Sequence, residues 1–141
     1  MSTFLNTVLA MIMTLISIIM PAKPNNIKIT VRQTTTESSS IVFEVQNNTG
    51  RLMSRPNVAL IEKKDGNGQW QKADFTYSWT EEYYNIYPGM SATDSVFFST
   101  HEPDYTPPLT KGEYRLTLEY KTGNISGEVV PGKASAEFTV V

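Results

Sequence analysis

Side chains suited to acid-base catalysis are few and far apart in this sequence. The single histidine, His101, lies in the loop His101-Glu102-Pro103-Asp104, and a catalytic triad also needs a nucleophile and an orienting group. The chain contains no Gly-x-Ser-x-Gly nucleophile elbow,. On a strand, the adjacent carboxylates of Glu81 and Glu82 would point to opposite faces and would not flank one bond. The sequence therefore predicts a non-catalytic protein in which His101 is solvated.

Oxygen ligands that calcium prefers occur between residues 65 and 74, where Asp65, Asn67 and Asp74 carry suitable groups,. The segment lacks the full loop and the later bidentate glutamate of a known calcium motif. We interpret Asp65-Gly66-Asn67-Gly68 as a tight hairpin turn. Cysteine is absent, which excludes disulfides, thiolate catalysis and cysteine zinc sites. The sequence predicts neither a metal nor a cofactor.

Aromatic residues are concentrated in one segment of thirteen residues: Phe75, Tyr77, Trp79, Tyr83, Tyr84 and Tyr87. Phe75, Tyr77 and Trp79 alternate with polar residues, which predicts the inward face of a strand. Tyr83 and Tyr84 are the members expected to remain exposed. Exposed rings stack on sugars or anchor a protein partner, since they bury a large area at a small entropy cost. In the alternative in which the cluster is exposed, Trp79, Tyr83 and Tyr84 are the candidate ligand contacts.

The charge pattern argues against nucleic acid as a partner. The net charge is −2, and 12 Lys and Arg are interspersed with 14 Asp and Glu, whereas counterion release requires concentrated cations. The length of 141 residues suits one domain plus a short extra segment,. Eight Gly, eight Pro and seven Tyr favour an all-β chain with frequent turns.

One stretch near the C-terminus predicts the central strand of the domain. Tyr114, Leu116, Leu118 and Tyr120 recur at the period of two that a pleated strand requires,. In immunoglobulin-like sandwiches a tyrosine at this place sends its hydroxyl to the backbone of the preceding corner. Leu109, Gly112 and Tyr114 are predicted to form such a corner, with a positive φ at Gly112.

Together with the Tyr114 strand, alternating or apolar segments at 27–32, 41–46, 57–64, 69–73, 75–80, 91–98 and 134–140 predict an immunoglobulin-like sandwich of about seven strands,. The segment 57–64 has apolar residues on both faces, which is typical of a central strand. Residues 123–132 are interpreted as a mobile hairpin region. Short strands at this spacing favour an antiparallel β-sandwich over an α/β fold.

The N-terminal segment differs from the rest of the chain. Residues 4–20 carry no charge, and from Val8 to Met20 only Thr14 and Ser17 interrupt an apolar run. Three interpretations are open: a signal peptide, an uncleaved membrane anchor and a buried apolar helix. We assign residues 1–22 to a signal peptide or anchor that forms an apolar helix, 23–26 to a linker and 27–141 to the sandwich domain.

Four motifs in order carry a resemblance to a family: Val45-Gln46-Asn47-Asn48-Thr49-Gly50, Leu60-Ile61-Glu62-Lys63 followed by Asp65-Gly66 and Trp70, Tyr87-Pro88-Gly89, and Leu109 to Leu116. The chain resembles the bacterial Ig-like domains of secreted or membrane-attached proteins, mostly from Gram-positive bacteria. The resemblance implies a non-catalytic, extracytoplasmic domain of immunoglobulin-like fold. Leu116 stands where antibody-type domains have their second cysteine, which separates the chain from that type.

These observations together predict a binding or spacer module that is secreted or tethered to the membrane. The expected partners are the membrane, through residues 4–20 if they are uncleaved, and an unknown protein or a cell-wall polysaccharide. The alternative is a carbohydrate-binding module that uses the exposed aromatic cluster.

Overall fold

The computed structural model describes residues 26–55, 59–75, 77–78, 84–98, 107–123 and 127–141. The expected N-terminal helix, as signal peptide or membrane anchor at 1–22, and nearly all of the linker lie outside the described residues. None of the described segments is a helix of the length and apolarity that a membrane crossing needs.

The described residues form ten strands, and buried and exposed side chains alternate along the longer ones. They are β1 (Ile27–Val31), β2 (Ser40–Asn47), β3 (Leu52–Arg55), β4 (Ala59–Lys64), β5 (Trp70–Lys72), β6 (Tyr77–Ser78), β7 (Tyr84–Ile86), β8 (Ser91–Phe98), β9 (Gly112–Gly123) and β10 (Val129–Val140). The first sheet has the order β1-β2-β8-β6, and the second has the order β5-β4-β9-β3-β7 with β10 also paired to β9. The paired strands are antiparallel, which confirms the predicted all-β sandwich.

Strand β9 organises the second sheet. Along one edge it pairs with β10 without interruption, from Gly112 opposite Val140 to Gly123 opposite Val129. Along the other edge it pairs first with β4 and then, near Gly123, with β3. Strands β3 and β4 thus occupy the place of one long strand, of which the sequence predicted only the second half. The predicted mobile region at 123–132 was placed too widely, because β10 already begins at Val129.

The core lies between the facing sides of the two sheets. Tyr114, Leu116 and Leu118 of β9 are at most 1% exposed, as the period of two predicts. They are matched in the first sheet by equally buried Phe43 and Val45 of β2. Complete burial of a side chain of this size contributes about 1.5 to 3 kcal/mol of hydrophobic stabilisation. The opposite face of the second sheet is left to solvent.

The corner that precedes β9 has the geometry of a tyrosine corner. The Tyr114 hydroxyl donates to the backbone carbonyl of Thr110 at 3.0 Å, and the Thr110 amide donates to the same hydroxyl at 3.3 Å. Gly112 has a φ of +150°, and a Cβ there would lie 3.0 Å from the Cε of Lys63. Leu109 is buried in the core. The corner therefore joins the start of β9 to the loop before it through a buried ring.

The two termini of the described chain lie at opposite ends of the sandwich. At the start, the Asn48 amide donates to the Asn26 carbonyl at 2.9 Å, beside the end of β2. At the other end, the Thr36 amide donates to the Val141 carbonyl at 3.1 Å, where β10 finishes. A surface groove lies at the end of the sandwich that carries Asn26 and the start of β10. We call this end the groove end.

Candidate functional site

A groove of about 950 Å³ lies on the solvent face of the second sheet, at the groove end of the sandwich. Met53 of β3 and Ile86 of β7 are buried, so the residues beside them point outward into the groove. The β2–β3 loop, the turn after β7 and the adjoining ends of β9 and β10 complete its walls. Its lining is Gly50, Arg51, Leu52, Ser54, Asn85, Tyr87, Pro88, Lys121, Thr122, Gly123 and Val129.

Large apolar side chains in the groove are exposed to solvent. Tyr87 is 64% exposed, Val129 is 58% exposed and Leu52 is 36% exposed. These three side chains come from β3, the turn after β7 and β10, and the groove brings them to one concave surface. A concave apolar surface of this kind marks a binding site more often than a scattered exposed residue does.

Two cations give the groove its charge. Arg51 lies at the rim, where its Nη2 pairs with the Oε2 of Glu128 at 2.8 Å. Lys121 projects from β9 on the same face, and among the described residues it has no ion-pair partner. The groove therefore combines an apolar surface with an available ammonium group, a combination suited to a ligand that carries both an apolar group and an anion.

Asn47 holds two walls of the groove together. Its side chain is fully buried, and its Nδ2 donates to the carbonyls of Arg51 and Ile86, each at 2.8 Å. Its Oδ1 accepts from the amide and the hydroxyl of Thr49 at 3.0 and 2.6 Å. The loop 48–51 and the end of β7 are thus fixed to one another. The sequence identified Asn47 only as the start of a turn. Its hydrogen bond to the Ile86 carbonyl joins residues that are far apart in the sequence, and no local pattern indicates it.

The turn Tyr87-Pro88-Gly89-Met90 places the Tyr87 ring at the rim. The Met90 amide donates to the Tyr87 carbonyl at 3.0 Å, and Gly89 has a φ of +78°. Proline at the second position and a positive φ at the third are the features of a type II turn. The Gly89 amide also donates to the Asn47 carbonyl at 2.8 Å, which anchors this turn to β2.

The family of the chain follows from a comparison of its sequence with known families. Residues 23–136 match the family described as "Bacterial Ig-like domain". The chain belongs to this family. Domains of the family are commonly extracellular or surface-associated and typically non-catalytic, which agrees with a binding or spacer module. None of the curated proteins compared with the sequence matches it.

Several solved structures align with this bacterial Ig-like domain over most of its length. One is the putative ApaA protein from Bordetella pertussis, at 17% identity, 84% coverage of this chain, 95% of that one, and a TM-score of 0.48. Another is the archaellum periplasmic stator complex FlaF and FlaG from Sulfolobus acidocaldarius, at 16% identity, 84% and 96% coverage and a TM-score of 0.40. The E. coli chaperone DraB matches at 13% identity, 81% and 57% coverage and a TM-score of 0.38.

The predicted ligand contacts are only partly described in this bacterial Ig-like domain. Trp79 and Tyr83 lie outside the described residues, and for Tyr84 only the backbone is described, in β7 opposite Arg55. Among the aromatic side chains of this segment that the structure describes, the exposed one is Tyr87, which the sequence did not single out as a ligand contact. Its exposure follows from the turn geometry and not from a periodic pattern.

The first two aromatic residues of that segment pack against the core. The Phe75 and Tyr77 rings meet edge to face with centroids 5.9 Å apart. Phe75 also contacts the Phe98 ring at 5.2 Å, and the Tyr77 hydroxyl donates to the Ala59 carbonyl at 2.8 Å. Phe75 and Tyr77 therefore pack toward the core, on the inward face that the sequence predicts for them.

Two of the residues considered for calcium, Asp65 and Asn67, lie in the hairpin turn between β4 and β5, whereas Asp74 follows β5. The Oδ1 of Asp65 accepts from the amides of Asn67 and Gln69, each at 2.9 Å. The hydrogen bond from Gln69 is the main reason that the pKa of Asp65 lies below its ordinary value, and that from Asn67 adds to it,. Within the described ranges, no three His, Asp or Glu side chains come together to hold a metal ion. His101, Glu81 and Glu82 lie outside those ranges.

Proposed function

We propose that this bacterial Ig-like domain is a non-catalytic binding module that holds an acidic and apolar segment of a partner protein in its groove. The observation that carries the proposal is the groove itself, where Tyr87, Val129 and Leu52 expose apolar surface beside Lys121. A partner with apolar side chains would cover that surface. A carboxylate on the partner would pair with the Lys121 ammonium and orient the segment.

The binding test is a titration of the full chain with two peptides of equal length, one alternating leucine with glutamate and one alternating leucine with lysine. Only the first complements Lys121, so we expect tighter binding of the glutamate peptide. Lys121→Gln is expected to weaken that binding by about two- to five-fold, as for one partly exposed ion pair. Tyr87→Ala is expected to weaken it further, since it removes the most exposed ring of the groove,.

The matched control is Phe97→Ala, because Phe97 is 49% exposed on β8 of the other sheet. This variant is expected to bind the glutamate peptide as the unaltered chain does. Equal affinity for the two peptides, or an equal loss in the Phe97 and Tyr87 variants, would contradict the proposed ligand chemistry.

The second part of the proposal is that the domain works outside the cytoplasm, secreted or tethered through residues 4–20. Support comes from the uncharged run of that segment and from the usual location of the family. The test is fractionation of the full-length chain in a bacterial host, with intact mass and protease accessibility measured on each fraction. A full-length membrane-bound chain digested from outside supports a tether, and a shortened external chain supports secretion. A domain shielded from external protease refutes both.

A carbohydrate-binding module is the alternative. The observation that favours it is the exposed Tyr87 ring beside the amide of Asn85 in one groove, since sugar sites combine an aromatic face with hydrogen-bonding groups. Retention of the full chain on a cell-wall polysaccharide resin, lost in Tyr87→Ala and kept in Lys121→Gln, would favour this alternative. Trp79, Tyr83 and Tyr84 would then be tested in the same way.

A further inference from the structure

The outer edge of β10 offers backbone groups to a further strand. The pairing of β10 with β9 is continuous from Val129 to Val140, so no bulge changes the direction of its backbone groups. Val141 donates to the Thr34 carbonyl, on the edge that faces away from β9. Because direction alternates along a strand, the amides and carbonyls of Lys133, Ser135 and Glu137 face that same edge. Among the described residues none bonds to this stretch of backbone.

The available stretch has a defined limit on each side. Pro131 has no N–H and ends hydrogen bonding toward the groove end. At the other end the bridge between Thr34 and Val140 covers the edge from Thr139 onward, and β1 of the first sheet lies beside β10 without a backbone hydrogen bond to it. Pro131 and Thr139 are equally far in sequence from Ser135, so the available edge is symmetric about Ser135.

The side chains along this edge are complementary to themselves. About a two-fold axis at Ser135, an antiparallel copy places Lys133 opposite Glu137, and Ala134 opposite Ala136. The small alanines and serine permit close approach of the two backbones. Like charges directly opposite each other would destabilise the pairing, and this register avoids them.

Charges on the solvent face continue the same pattern across the second sheet. Arg115 pairs with Glu62 through two nitrogens, at 3.0 and 2.8 Å, and Lys133 pairs with Glu119 at 3.2 Å. Glu137 stands opposite Arg115 in the register but has no ion-pair partner within the described residues. In a paired copy it would meet the cation of Lys133 from the second chain. The row of charges would then alternate in sign from one domain into the next.

We infer that two copies of this chain pair through their β10 strands, antiparallel about an axis at Ser135, and join their second sheets into one. Lys133, Ser135 and Glu137 of the two copies exchange about six main-chain hydrogen bonds. Lysine and proline on an edge strand ordinarily oppose pairing. Here they limit it to one register, since Pro131 closes one side and Lys133 requires a carboxylate opposite. This self-association does not use the groove and is independent of its ligand.

The test uses the absence of cysteine from the chain. In the inferred register the two Ser135 Cα atoms lie about 5.5 Å apart, within the range that a disulfide spans. The full chain carrying Ser135→Cys is therefore expected to form a disulfide-linked dimer under oxidised glutathione. The matched control is Thr117→Cys, because Thr117 is the partner of Ser135 on β9 and contacts its hydroxyl at 2.8 Å. The two Thr117 Cα atoms would be three strand spacings apart, roughly 14 Å, and no covalent dimer is expected.

Charge reversal tests the register separately. In the Ser135→Cys background, Lys133→Glu or Glu137→Lys alone places like charges opposite each other twice, and each is expected to reduce cross-linking. A mixture of the two variants restores both opposite-charge pairs and is expected to yield the mixed dimer at the level of the parent. Equal cross-linking of the Ser135 and Thr117 variants, no cross-linking of either, or no recovery in the mixture overturns the inference.

Discussion

Removal of the Asn47 side chain is the perturbation whose effect follows most directly from the structure. The fully buried amide makes two donor bonds at 2.8 Å, to the carbonyls of Arg51 and Ile86. Its oxygen accepts two more from Thr49. A hydrogen bond contributes about 0.5 to 1.5 kcal/mol net, and a buried group left without a partner costs more. Since part of this network reaches solvent, we expect Asn47→Ala to lower the free energy of unfolding by about 2 to 4 kcal/mol.

The assay is urea unfolding of the full chain, accompanied by thermal melting. A loss of this size in a domain of about 115 residues corresponds to a fall in Tm of roughly 10 °C. The matched control is Asn48→Ala, because the Asn48 side chain makes only an exposed bond of 3.3 Å to Asn26. That control is expected to change stability by less than about 0.5 kcal/mol.

The Asn47→Asp variant tests the direction in which stability changes with pH. The new carboxylate keeps the acceptor for Thr49 but sets an oxygen against the two carbonyls, and with burial this raises its pKa in the folded state. A folded-state pKa above the unfolded one gives stability that is present at low pH and is lost as pH rises through the folded-state pKa. The variant should therefore be weaker at about pH 7 than at about pH 4, beyond any change in the parent. An Asn47→Ala chain as stable as Asn48→Ala, or an Asp variant without this pH dependence, would refute the reasoning.

Three further variants test other contacts. Tyr114→Phe removes the hydroxyl bond of the corner at 3.0 Å and should cost about 1 kcal/mol; an unchanged Tm would contradict the corner's contribution. Asp65→Asn removes a carboxylate whose pKa is lowered, first by the hydrogen bond from Gln69. A lowered pKa gives stability that is present above the unfolded pKa and lost as pH falls, so acid melting of the variant should depend less on pH, and an identical pH profile would refute this. Glu62→Gln removes the charge of the carboxylate whose Oε1 accepts from two Arg115 nitrogens and should cost about 1 kcal/mol, less in high salt; no salt dependence would contradict an ionic contribution.

The sequence predicted those parts of the fold in which one pattern persists over many residues. The alternation from Tyr114 to Tyr120 marked β9, and residues 91–98 became β8 over the same range. The sequence did not predict β3 and β7, because strands of four and three residues are too short to show a recognisable alternation. Strand β3 is held by pairing with β9, and β7 by pairing with β3; both pairings are set by the tertiary fold and not by the local sequence.

The candidate groove could not be predicted from spacing. Its apolar side chains are at positions 52, 87 and 129, and they meet only because β3, β7, β9 and β10 end at the same place. Within the aromatic segment at 75–87, Phe75 and Tyr77 pack against the core and Tyr87 is exposed. Which ring is exposed depends on a turn fixed by Asn47, a residue that sequence reasoning assigned to turn formation alone.

The bond between Asn26 and Asn48 gives the domain a polarity along its length. Any chain that precedes Asn26 departs from the end that carries the groove, whereas Val141 lies at the far end of β10, whose twelve residues span about 40 Å,. A domain held through its N-terminus would turn the groove toward the supporting surface and would select ligands close to that surface over ligands arriving from the medium. For the same reason, immobilisation through the C-terminus is the arrangement that leaves the groove open in a binding assay.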